Sequence, residues 1–146
     1  MAKLEYQEKD GKVYCPLKDK WLIATPEEKV RQRYVCTLVN DFGYQPEQMA
    51  QELKVTNSKR GQGKARADIV IWKSADEKNE SKSAFIVVEC KAENVKIHVE
   101  DYYQGFNYAS WAHAEFFVTT NEKETKYFNV DPTYLPQKLE EVVGIP

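Results

Sequence analysis

Two carboxylates and one ammonium, Asp68, Glu89 and Lys91, stand at the margins of two apolar runs in the middle of the chain. Asp68 heads Asp68-Ile-Val-Ile-Trp72, and Glu89-Cys-Lys91 closes Phe85-Ile-Val-Val-Glu-Cys-Lys91. β-Branched runs on either side of a polar loop read as paired or neighbouring strands. Side chains alternate along a strand, so Phe85, Val87, Glu89 and Lys91 share one face, and Ile86, Val88 and Cys90 take the other. Charges on a strand greasy enough to be buried are costly unless they are paired or hold a metal. Two facing carboxylates also repel each other, and a divalent cation relieves that repulsion. The pattern points to a site, against the plainer alternative of a surface ion pair worth at most about 1 kcal/mol.

These elements sit in a longer pattern. Thr25-Pro-Glu-Glu-x-Val-Arg31, Arg66-Ala-Asp-Ile-Val70, Val88-Glu-Cys-Lys-Ala92 and Gln104-x-x-x-Tyr108 fall in order on helix, strand, strand and helix. Asp68 with Glu89-Cys90-Lys91 resembles the PD-(D/E)XK nuclease superfamily. The whole set, from about Trp21 to Asn121, resembles the N-terminal nuclease domain of type I restriction enzyme R subunits. The resemblance implies a restriction-endonuclease-like α/β fold, a central mixed β-sheet flanked by α-helices. It implies a magnesium-dependent DNA endonuclease, with manganese as a substitute, in which Asp68 and Glu89 are metal ligands and the Cys90 backbone carbonyl is a third. Lys91 is then the catalytic lysine, orienting the attacking water or stabilising charge on the phosphate. Gln104 and Tyr108, four apart and on one helix face, would position DNA or that lysine. This chain departs from the family at Asn121-Glu122, where Asn-Gly is usual, which alters a turn more than the chemistry.

Thr25-Pro26-Glu27-Glu28 has the chemistry of a helix start: a capping threonine, proline at the first helical position and a glutamate that completes a capping box. Val30, Tyr34, Leu38 and Phe42, with Val35 and Val39, then give a broad apolar stripe that Gly43 ends. The predicted helix is Pro26–Phe42. Glu28 has two expectations: the capping box, and, by resemblance, an acidic residue that approaches the metal site. A second helix is predicted over Val99–Ala114, on a noisier pattern.

Lys64 and Arg66 close a basic, glycine-containing stretch just before Asp68. It reads either as a solvated hairpin loop or as a contact for DNA phosphates at the mouth of an acidic site. A P-loop is excluded, because its spacing is absent. Val13–Leu17 and Trp21–Ala24 read as a hairpin with Cys15-Pro16 on an edge, Phe116–Asn121 and Lys126–Val130 as a strand pair, and Leu139–Val143 as a short helix or tail.

The chain has 146 residues, enough for one domain with its own core. That domain spans 1–146, with a loose lead-in over 1–12 and a loose tail over 131–146. Hydrophobic residues at 42% and charged residues at 30% exclude a disordered chain. No apolar run approaches the roughly 18–20 residues of a membrane span, so a cytoplasmic protein without membrane contact is expected. Cys15, Cys36 and Cys90 form no metal-binding pair, and His98 and His113 complete no ligand cluster, which leaves zinc out. A net charge of −2 argues against tight nucleic-acid binding by the chain alone. DNA held without sequence specificity is the expected partner, with motor, methylase or specificity subunits of a restriction system beside it. The competing expectation is a non-cleaving module that binds nucleic acid or protein on a nuclease fold.

Overall fold

The apolar runs on either side of the polar connection do pair. The computed structural model describes residues 3–54, 66–80, 83–97, 114–130 and 140–146. In chain order the elements are β1 (Glu8–Lys9), β2 (Lys12–Cys15), β3 (Lys20–Ile23), α1 (Pro26–Asn40), a 3-10 turn (Pro46–Gln48), β4 (Met49–Lys54), β5 (Arg66–Ile71) and α2 (Ala75–Asn79). They continue with β6 (Ile86–Cys90), β7 (Phe116–Thr120), β8 (Thr125–Asn129) and β9 (Glu140–Val142). Strands β1 to β3 form an antiparallel three-stranded sheet, and β4 to β9 a six-stranded sheet in sequence order. In that larger sheet β6 and β7 run parallel, from Ile86↔Phe116 to Cys90↔Thr120, and its other described pairs are antiparallel. The architecture is α/β on a mixed sheet.

Helix α1 begins as its sequence dictates. Thr25 Oγ1 accepts the Glu28 N–H at 3.1 Å and Pro26 takes the first turn. The helix closes where the Tyr44 N–H returns to the Leu38 carbonyl at 3.1 Å across Gly43, whose φ of 81° needs no Cβ penalty. Regular helix ends at Asn40, two residues short of the predicted Phe42, because these last residues turn into the cap. Val30, Tyr34, Val35 and Leu38 face Met49, Ile69, Ile71, Ile86, Val88, Cys90 and Val118 in one core. The opposite face of the sheet buries Ala67, Val70, Trp72, Val87, Phe117 and Phe128 in a second. Burial on both faces explains why β5 and β6 read as unbroken apolar runs. Each fully buried aliphatic side chain contributes about 1.5–3 kcal/mol relative to an exposed one.

Several expectations change. Residues 8–15, partly assigned to a lead-in, form a hairpin, because Asp10 (φ 53°) and Gly11 (φ 76°) make the two-residue turn that such strands require. Strand β2 is central in its sheet; Pro16 lies just past its end, so no ladder donor is lost. The connection Lys73–Ala84 carries α2, capped by Ser74. Part of the expected tail is also ordered, as strand and not helix: β9 pairs with β8 from Tyr127↔Val142 to Asn129↔Glu140. Beyond it, Ile145 packs on the α1 core and the Tyr44 hydroxyl donates to the Pro146 carbonyl.

Candidate active site

Strands β5 and β6 separate where the charged residues begin. Their ladder ends at Ile69↔Val88, and past it the Asp68 carboxylate replaces the backbone: Oδ2 accepts the Cys90 N–H at 2.7 Å. Asp68 is thereby brought to the Glu89-Cys90-Lys91 segment, as the sequence pattern anticipates. Lys91 Nζ lies 3.7 Å from Glu89 Oε1, both side chains about a quarter exposed, and the Lys91 N–H donates to the Thr120 carbonyl at 2.9 Å. Cys90 is buried in the α1 core, where burial first, and the Asp68 charge second, push its thiol well above the usual range. A protonated, enclosed thiol is packing, and Cys90 offers a cation its backbone at most.

The other oxygen of Asp68 belongs to α1. Arg31, 8% exposed, donates from Nη2 to Asp68 Oδ1 at 2.8 Å and from Nη1 to Glu28 Oε1 at 2.7 Å. Glu52 at 3.4 Å and Glu27 at 3.5 Å complete a ring of four carboxylates around one guanidinium. Burial opposes the Arg31 charge, but Asp68 and Glu28 outweigh it and hold the pKa above its ordinary value.

Glu28 meets the capping-box expectation in part. Its backbone makes half of the capping box, but its carboxylate is taken by Arg31, by Gln32 Nε2 at 2.8 Å and by Gln51 Nε2 at 3.3 Å. Gln51 joins Gln32 at 2.8 Å and accepts from Cys15 Sγ at 3.1 Å, so a buried polar chain runs from Asp68 to the small sheet. The helix carboxylate with room to act is Glu27, whose side chain is 48% exposed. Burial raises its pKa first and the Asp68 charge second, while Arg31 and Lys91 pull it down. The family resemblance points to Glu28 as the first-helix acid, and nothing local in the sequence distinguishes its neighbour Glu27. Glu52 was also missed. It sits at φ 56°, a strained conformation for a non-glycine residue, pinned by Lys18 at 2.9 Å and by Arg31.

Arg66 opens β5 opposite Lys54. Lys64, Gln104 and Tyr108 lie outside the described residues, as does the expected second helix apart from Ala114. Among the described residues no three His, Cys, Asp or Glu side chains form a group that could enclose a metal, and no helix is long and apolar enough to cross a membrane. What Asp68, Glu89 and Glu27 offer is carboxylate oxygen. That chemistry suits a hard cation that keeps most of its own waters.

Residues 26–146 match the family model described as the type I restriction enzyme R protein N terminus. A search of curated proteins gave no match. Among solved structures, the type IIG restriction endonuclease BpuSI aligns with 75% of this chain at 16% identity and a TM-score of 0.41. The chain spans 12% of the length of that enzyme.

Proposed function

Since the chain belongs to the family of type I restriction enzyme R protein N termini, we propose that it is a magnesium-dependent DNA endonuclease domain, with Asp68 and Glu89 as metal ligands and Lys91 as the catalytic lysine. The observation that carries this reading is the Asp68 carboxylate fixed at the point where β5 and β6 part, 2.7 Å from the Cys90 N–H between Glu89 and Lys91.

The donor set fits the metal. Magnesium needs only one or two carboxylates beside waters and substrate phosphate, so an open arrangement is what the chemistry asks for. When bound, the ion supplies Lewis-acid polarisation of the scissile phosphate. Asp68 and Glu89 would hold it, with the Cys90 carbonyl as third ligand. Lys91 supplies a positive charge beside the phosphate as negative charge builds on its oxygens. In this reading Glu27, half exposed and with a raised pKa, takes the part of first-helix acid in place of Glu28 and would accept a proton or order a water. The DNA is bound through its phosphates, and sequence recognition, like translocation, belongs to partner subunits of a restriction system.

One observation favours a second reading, a module that binds without cutting: Arg31 already neutralises Asp68 at 2.8 Å. Supercoiled plasmid with magnesium or manganese separates the two. Wild type should nick the plasmid, and Lys91→Ala and Asp68→Asn should each lower the rate by about 10²-fold or more. Absence of nicking, together with absence of manganese binding by calorimetry, would exclude the enzyme and leave the binding module.

A further inference from the structure

The motif that resembles a helix start, Thr25-Pro-Glu-Glu-x-Val-Arg31, ends on a residue that the proposed chemistry does not use. Arg31 nonetheless hydrogen-bonds four carboxylates near the site. Its two terminal nitrogens divide between elements: Nη1 holds Glu28 on α1 and Nη2 holds Asp68 on β5, a residue 37 positions away in the chain. A buried guanidinium must be paired, and its planar fork presents donors to two carboxylates in one fixed plane, which the freely rotating ammonium of a lysine does not. Among the described residues its buried Nε has no hydrogen-bond partner, and Nη1 and Nη2 set its orientation.

We propose that Arg31 is a positioning residue that, together with the Cys90 N–H, locks the Asp68 carboxylate in the orientation that receives a divalent cation. The inference rests on the proposed role of Asp68 as a metal ligand. Asp68 lies past the last β5–β6 ladder pair, so no backbone pairing with β6 fixes its carboxylate beside Cys90. Oδ1 is held by Arg31 at 2.8 Å and Oδ2 by the Cys90 N–H at 2.7 Å. A carboxylate accepts up to about four hydrogen bonds or ligands, so each oxygen keeps capacity for a cation after these two bonds. With one donor on each oxygen the plane of the carboxylate is set, and the face it presents is set with it. Arg31 is anchored in turn by Glu28, itself held by Gln32 and Gln51, so the orientation is backed by the interior of the fold. The same guanidinium offsets the repulsion among Asp68, Glu27, Glu28 and Glu52, which would otherwise push Asp68 outward.

The Cys90 amide reports on this lock without metal or DNA. In a 15N-labelled chain, Asp68→Asn should move the Cys90 amide resonance, because it replaces the charged acceptor. Arg31→Met should move the same resonance, while the amides of Val88 and Val118 in the core stay in place. Arg31→Lys, which keeps the charge and loses the fork, decides the question if the methionine variant does not fold. It should also shift the Cys90 amide, and it should raise the manganese dissociation constant by about tenfold, as loss of a partner behind a metal ligand does. An unmoved Cys90 amide in the Arg31 variants, or wild-type manganese affinity in Arg31→Lys, would overturn the proposal. Failure of the wild-type chain to bind manganese or cut plasmid would instead strike the nuclease reading. The amide shifts would still show whether Arg31 holds Asp68.

Discussion

The sharpest consequence of the carboxylate ring is that two neighbouring glutamates should behave oppositely. Glu28 has an 11% exposed side chain and three side-chain donors, Arg31 at 2.7 Å, Gln32 at 2.8 Å and Gln51 at 3.3 Å. Breaking a buried ion pair from one side costs about 3–5 kcal/mol when the remaining charge has no other partner. Arg31 keeps Asp68 at 2.8 Å and Gln32 keeps Gln51 at 2.8 Å, which places Glu28→Ala near the lower end. Losing an acid from the first turn of α1 adds about 0.3–1 kcal/mol. The expected loss is about 3–4 kcal/mol, or roughly 6–16 °C in Tm for a domain of this size. Glu27, half exposed and 3.5 Å from Arg31 and likewise in the first turn of α1, should cost no more than about 1 kcal/mol as Glu27→Ala. Urea unfolding of both variants at neutral pH, read by far-UV circular dichroism, measures the difference. In cleavage the order reverses, with Glu27→Ala losing activity while retaining the fold. Equal stabilities of the two variants would mean that the Glu28 carboxylate is solvated, and the interior chain from Asp68 to Cys15 would fall with it.

Three further outcomes follow from the geometry. Burial and Asp68 raise the Glu27 pKa above 4.5, so its ionised form is disfavoured in the folded state. That penalty is present above the raised folded pKa and disappears as pH falls towards 4.5. Glu27→Gln should therefore be slightly more stable than wild type at pH 7 and lose that advantage in mild acid, in urea titrations at both values. Ile86 is fully buried in the α1 core, and Ile86→Ala should cost about 2–5 kcal/mol by the same assay. Ending the chain after residue 139 removes β9 and uncovers the β8 edge; light scattering on warming should show earlier aggregation than in the full chain.

The sequence alone determined what depends on neighbours along the chain. Threonine, proline and glutamate in order start α1, glycine ends it, and the i, i+4 stripe selects the face that packs. Unbroken β-branched runs identified β5 and β6 as interior strands, and the Glu-x-Lys spacing put Glu89 and Lys91 together. Asp10-Gly11 is a local signal as well, a hairpin turn by its backbone requirement. The rest lies in contacts between distant segments. That Asp68 caps the Cys90 amide depends on where two strands stop pairing. That Arg31 crosses to Asp68, and that Glu28 turns inward while Glu27 faces the site, depends on how α1 is rotated against the sheet. Residue type and spacing bring the carboxylates to one end of the sheet, but the packing of helix on sheet chooses which are enclosed and paired and which stay exposed. That choice turns on desolvation and pairing, which exist only once the chain has folded.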